Sequence, residues 1–114
     1  MKLYSYSACS TCRKALAWLQ ERGLGVELID ITQQPPTLAE LTLALEQLGR
    51  KRLFNTSGQS YRALGSAAVA AMNDEQALAA LAADGKLIKR PVLITADQQV
   101  LTGFKSDEWQ ALLG

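Results

Sequence analysis

The 114-residue sequence has no histidine, two cysteines and three prolines. It has no run near the roughly 18 apolar residues that a membrane-spanning helix needs. Without histidine there is no imidazole general base, no Ser-His or Cys-His nucleophile pair and no His-ligated metal. Two cysteines leave a zinc site two ligands short and cannot build a disulfide scaffold. Charge of one sign is lacking too. Twelve Lys and Arg face eleven Asp and Glu, a net charge of +1, so no global field argues for direct nucleic-acid binding, an anionic membrane or a polyacidic partner. The opening Met1-Lys2-Leu3-Tyr4-Ser5-Tyr6 has no charged segment followed by an apolar one, so a soluble, cytoplasmic protein is expected. With 48% hydrophobic residues, the expectation is a single domain over residues 1–114, with no bound metal or organic cofactor.

Residues 2–6 read as a short strand ending at Ser7-Ala8. From Ser10 to Arg22, Cys12, Ala15, Leu16 and Leu19 recur at the spacing of one buried helix face, and Gly23 stands where a left-handed cap belongs. Val26 to Ile31 is a short apolar run and a second strand. Thr37 and Glu40 form a capping box, after which Leu38, Leu41, Leu45 and Leu48 are expected to share a helical stripe ending at Gly49. Two parallel strands joined by such a helix make a right-handed crossover.

Residues 50–72 are less regular. They comprise the basic cluster Arg50-Lys51-Arg52, the segment Leu53-Phe54-Asn55-Thr56-Ser57-Gly58, and a small-residue stretch expected to be helical around 61–71. Asn73 caps a further helix to about Ala83, with Gly85 past its end. Val92 to Thr95 and Val100 to Thr102 read as a hairpin turning at Ala96-Asp97-Gln98. Ser106 is expected to cap a last helix ending near Leu113. The order is βαβ, a helical insertion, then ββα. That is the layout of an α/β, thioredoxin-like mixed sheet.

Cys9-Ser10-Thr11-Cys12 falls between the first strand and the first helix. Cys9 is at the helix N-terminus, where free N–H groups and the positive end of the dipole favour a thiolate. Arg13 and Lys14 add positive charge. Cys12, one turn inside, is the expected resolving thiol. Taken alone, a C-x-x-C pair could be half of a zinc knuckle or two small buried hydrophobes. No second pair completes a metal site, and the βαβ context favours redox chemistry.

Pro91 opens the third strand, where thioredoxin-like domains carry a cis proline facing the reactive cysteine, so a cis Arg90–Pro91 bond is expected. Arg90 is then either directed at the Cys9 pocket, where its fork suits an oxyanion or a carboxylate, or a solvated member of the basic run Lys86 to Arg90. Asn55, Thr56 and Ser57 either line a pocket or form a turn.

The sequence resembles the arsenate reductase-like proteins of the thioredoxin-like superfamily, which also include the Spx-type regulators of RNA polymerase. The resemblance spans nearly the whole chain. It rests on Tyr4 through Cys12-Arg13-Lys14-Ala15, Gln34-Pro35-Pro36, Leu53 to Gly58 with Tyr61-Arg62, Leu87-Ile88-Lys89-Arg90-Pro91 and Gly103-Phe104-Lys105. In the glutaredoxin-coupled reductases one cysteine attacks arsenate while three arginines hold it. Cys9 matches the cysteine and Arg90 one arginine, whereas the other two positions are Asn55 and Gly103. Lys105 or Arg62 are partial substitutes. The Spx-type regulators use a C-x-x-C pair as a disulfide switch and a glycine after the second helix to meet the polymerase α subunit. Gly49 matches that glycine.

What this implies is a dithiol protein performing thiol–disulfide exchange, or reducing a small oxidised substrate, with glutathione or glutaredoxin as reductant. The expected catalytic residues are Cys9, Cys12 and Arg90. Ser10, Thr11, Arg13, Asn55, Pro91 and Lys105 are the expected substrate-binding residues. The alternative is a redox-switched regulator that binds RNA polymerase through its α subunit, without turnover.

Overall fold

A computed structural model describes all 114 residues. Four short strands form one mixed sheet: β1 (Lys2–Ser5), β2 (Glu27–Asp30), β3 (Val92–Ile94) and β4 (Val100–Thr102), in the spatial order β2-β1-β3-β4. The first pair is parallel and the other two are antiparallel, with Leu3 opposite both Leu28 and Leu93. This is the βαβ-then-ββα arrangement read from the sequence.

Because side chains alternate across a strand, β1 and β3 feed two separate cores. Leu3 and Leu93 point to a layer with Ala15, Trp18 and Leu19 of α1 (Ser10–Glu21) and Trp109 of α6 (Ser106–Leu113). Tyr4, Val92 and Ile94 point to the opposite layer. There they meet Leu41 and Ala44 of α2 (Leu38–Leu48), Val69, and Ala77 and Leu81 of α5 (Asp74–Ala83). Burial of these apolar faces, at roughly 25 cal/mol per Å² removed from water, holds the helices to the sheet.

Helix ends follow the local signals in part. Gly23 has φ +68, and the amides of Gly23 and Leu24 donate back to the carbonyls of Gln20 and Leu19, a Schellman ending. Thr37 and Glu40 form the expected reciprocal box, as do Asn73 and Gln76. Ser106 does not cap α6. Lys105 occupies the cap position without a side-chain bond, and Ser106 is the first helical residue. Leu38 is 56% exposed, so the buried stripe of α2 begins at Leu41 and runs through Ala44. The alanine-rich stretch around 61–71 is two short helices, α3 (Gln59–Leu64) and α4 (Ser66–Ala71), separated by Gly65 at φ +87. An unbroken helix cannot pass through that backbone conformation.

Two turns of 3-10 helix, Arg50–Arg52 and Gly85–Leu87, link these pieces. Gln47 closes the outer edge of the hairpin by donating to Gln98 O and accepting from Val100 N. No helix is long and apolar enough to cross a membrane.

Candidate active site

The first strand delivers Cys9 to the N-cap of α1. Its backbone is extended there (φ −88, ψ 118), and its sulfur accepts a 3.3 Å hydrogen bond from the Cys12 amide. Cys9 is half-buried and Cys12 is buried; both are free thiols. Burial works against ionisation of Cys9. Hydrogen bonds from the Cys12 thiol and amide, together with the hydrogen bond and charge of Arg90, outweigh it and hold the Cys9 thiol below its ordinary range. Cys12 moves the other way. Burial and donation to Cys9 push it up to about 11, against smaller opposing bonds from the Tyr6 amide and Ser5 hydroxyl. One sulfur is thus prepared to be a thiolate and the other to keep its proton.

The Arg90–Pro91 peptide is cis, as expected, and Pro91 is buried at the start of β3. Arg90 is directed at the site and is not a solvated charge. Its guanidinium carbon stands 5.0 Å from the Tyr6 ring centroid, and the side chain lines the same cavity as Cys9.

Beside Cys9 opens a cavity of about 410 Å³, lined by Thr11, Asn55, Ser57, Gly58, Lys89, Arg90, Gly103, Phe104 and Lys105 together with Arg52 and Thr102. A second cavity, of about 360 Å³, shares Asn55, Gly58 and Arg90 and adds Tyr6, Thr32 and Lys86. Neither is lined by a carboxylate. Asn55 both lines the space and builds the turn. Its amide donates to Leu87 O, and its side chain accepts from Ser57 Oγ. A larger cavity of about 810 Å³ lies between Lys2, Glu40 and Thr95 at the far end of the sheet; no thiol lines it, so the chemistry belongs to the Cys9 side.

The structure brings Cys9, Thr11, Asn55, Arg90 and Lys105 together. Cys12 sits just beneath. Ser10 is exposed and does not line the cavity. Arg13 donates to Ser7 O and lines a different cavity with Cys12, Leu28 and Asp30. Neither Arg13 nor Lys14 is among the groups that lower the Cys9 pKa; Arg90 and Cys12 do that. Arg62 is turned back onto the carbonyls of Ser57 and Gly58, outside both cavities.

Sequence reasoning missed Tyr6, Arg52 and Lys89. Of the cluster Arg50-Lys51-Arg52, the two arginines are engaged within the protein and Lys51 is exposed. Arg50 donates to Val69 O and Met72 O and lies 3.7 Å from Asp74. Arg52 holds both carboxylate oxygens of Glu108 at 3.1 and 2.9 Å and also donates to Thr102 O. Thr102 Oγ1 in turn donates to Arg52 O. No local pattern announces bonds spanning 50 and 56 residues. Beneath the rim, Trp109 donates to Gly103 O, and its ring packs edge-on against Phe104.

A thiol pair at the N-terminus of the first helix and this strand order define the thioredoxin-like fold class, which solved structures share. The chain belongs to the ArsC family, whose model matches residues 4–112. It is 42% identical over 113 residues to an uncharacterized protein of Bacillus subtilis, YusI, covering 96% of this chain and 95% of that one. It is 25% identical to the global transcriptional regulator Spx of Listeria innocua, covering 97% of this chain and 85% of the regulator. Among solved structures, a putative ArsC family related protein from Bacteroides fragilis superposes with a TM-score of 0.86 at 41% identity over 98% of both chains. A possible arsenate reductase from Streptococcus mutans gives 0.86 at 38% identity over 96% of both.

Proposed function

We propose that this ArsC-family protein is a cytoplasmic dithiol oxidoreductase that exchanges disulfides with small oxidised substrates, with glutathione or a glutaredoxin restoring the dithiol. The observation that carries this reading is the opposite tuning of the two sulfurs. Cys9 is stabilised as a thiolate at the cavity wall by Arg90 and the Cys12 amide, and Cys12 retains its proton behind it.

The Cys9 thiolate attacks one sulfur of a substrate disulfide. A Cys9–substrate disulfide forms, and the other half leaves as a thiolate that takes a proton from solvent. The Cys9 sulfur is now neutral. Its hydrogen bond and charge no longer hold the proton on Cys12, leaving burial as the remaining barrier to ionisation, and Cys12 gives its proton to solvent as it attacks. Cys12 attacks the Cys9 sulfur, the second substrate thiolate leaves, and the two electrons of the dithiol have passed to the substrate. Two glutathione thiols, or a glutaredoxin dithiol, reduce the Cys9–Cys12 disulfide and close the cycle.

Arsenate is a weaker candidate substrate. Asn55 and Gly103 stand where the resemblance places guanidinium groups, and each charge-assisted bond to an oxyanion is worth about 1.5–3 kcal/mol.

The alternative function is a redox-switched regulator that binds RNA polymerase. Likeness to Spx over most of both chains supports it, as does Gly49, exposed at φ +82 after α2. Of the cations beside Gly49, Arg50 and Arg52 are engaged within the protein and only Lys51 is exposed to a partner.

Turnover of a glutathione mixed disulfide in a glutathione- and glutaredoxin-coupled assay, lost in Cys9→Ser, is the expected result. No turnover, together with redox-dependent retention of the polymerase α subunit, overturns the enzyme reading in favour of the regulator.

A further inference from the structure

Gly103 is buried at φ +68, and a Cβ placed on it would lie 3.0 Å from Cε and 3.8 Å from Nζ of Lys89. The Lys89 side chain therefore fills the space that a side chain at 103 would need. Its backbone is pinned by a 2.8 Å bond from its amide to Leu53 O, and its ammonium enters no ion pair, since the three pairs of the protein use Lys2, Arg50 and Arg52.

Four cations line the Cys9 cavity, but they are not equivalent. Arg52 is committed to Glu108 and Thr102 O. Arg90 is engaged by the Tyr6 ring, and its charge favours the Cys9 thiolate. Lys105 is exposed at the rim. Lys89 alone is both partly withdrawn from solvent and uncommitted.

We propose that Lys89 binds an anionic oxygen group of the substrate beside Cys9, and that Gly103 is side-chain-free so that this ammonium can enter the cavity. The proposal rests on Cys9 being the reacting thiolate. It divides the labour between neighbouring cations: Arg90 sets the state of the sulfur, and Lys89 selects what approaches it. Consistent with that split, Lys89 is not among the groups that lower the Cys9 pKa. The anionic group can be a carboxylate of a small thiol compound or an inorganic oxyanion.

Alkylation of Cys9 tests this without any turnover. Rates are measured with anionic iodoacetate and neutral iodoacetamide, with the modified residue identified by peptide mass spectrometry. In Lys89→Met the iodoacetate-to-iodoacetamide ratio is expected to fall about three- to tenfold, while the iodoacetamide rate holds. Lys89→Arg should keep the wild-type ratio, and Lys89→Gln replaces the Met variant if that one does not fold. An unchanged ratio in Lys89→Met overturns the proposal. So does an equal fall with both reagents, because Lys89 would then act through the sulfur. Sulfate and succinate, added at matched ionic strength, distinguish the sources: protection from iodoacetate by sulfate assigns an inorganic oxyanion, by succinate a carboxylate, and by neither overturns the site. An inactive wild type in the reductase assay overturns the enzyme reading and leaves this result standing.

Discussion

Arg90 lies over the ring of Tyr6, 5.0 Å from guanidinium carbon to ring centroid, and from that position it shares the wall of one cavity with Cys9, whose thiolate its charge favours. Tyr6 thus acts on the thiol through Arg90. In Arg90→Met the Cys9 thiol is expected to ionise at higher pH than in the wild type, because a group that favours the thiolate is gone. Tyr6→Leu should give a smaller shift in the same direction and cost about 0.5–1 kcal/mol of stability from the lost cation–π contact. Thiolate ultraviolet absorbance against pH reads the first effect and urea unfolding the second.

Cys12 carries an alkaline signature. The folded state holds its proton up to about 11, against an ordinary thiol value of 9.0. Below pH 9 that contribution to stability is complete, and it is lost as pH rises through the window from 9 to 11. Tyr4, also held above its ordinary value by burial and its bond to Glu40, extends the decline to higher pH. Cys9, lowered, behaves oppositely: its contribution is present above the unfolded thiol value and lost as pH falls through the folded one. Urea unfolding of the reduced protein at a series of pH values should show a shallower decline between 9 and 11 in Cys12→Ala than in the wild type.

Glu40 ties β1 to the start of α2 through one carboxylate and three donors. It accepts from Tyr4 Oη at 2.6 Å, from Lys2 Nζ at 3.2 Å and from the Thr37 amide at 2.9 Å. Burial opposes its ionisation, but these donors hold it below the usual carboxylate range. Glu40→Ala should cost about 2 kcal/mol, the sum expected for a lost cap and a part-buried hydrogen bond. Because the native carboxylate is stabilised when ionised, its contribution disappears as pH falls through its folded value. The acid slope of stability should be flatter in the variant, with the Cys9 titration unmoved.

Two glycines should respond for different reasons. A Cβ on Gly85 would stand 1.8 Å from the Ile31 carbonyl oxygen, a backbone atom that cannot swing aside. Gly85→Ala is expected to cost about 3 kcal/mol or more. Gly49 has nothing within 4 Å of the corresponding position but sits at φ +82, so Gly49→Ala should cost about 1 kcal/mol. Chemical denaturation of the two variants distinguishes a collision from a conformational penalty.

The fold was legible where local signals and burial agree. Ala15 and Leu19 repeat at helical spacing and are buried, Gly23 ends its helix, and the capping residues Thr37 and Asn73 make their boxes. It was less legible where tertiary contacts decide. Leu38 has the right spacing but, in the first turn of α2, its side chain is exposed. Gly85 reads as a helix stop, yet its absent side chain serves the close approach of Ile31. At the site, Cys9 and Cys12 could be read from motif and helix position, and Arg90 from its place before a strand-opening proline. Lys89 could not, because its neighbour in the cavity wall, Gly103, lies fourteen positions later in sequence. Arg52 could not either, since its partners come from β4 and α6.

A net charge of +1 describes an almost neutral molecule to any distant observer. At the mouth of the Cys9 cavity the balance is different, because Lys89, Arg90 and Lys105 gather there and no carboxylate lines the wall. Such a field fades over a Debye length of about 8 Å at physiological ionic strength. It leaves bulk behaviour such as migration and solubility untouched and acts only in the last steps of encounter, turning an arriving anion so that its charged end enters first.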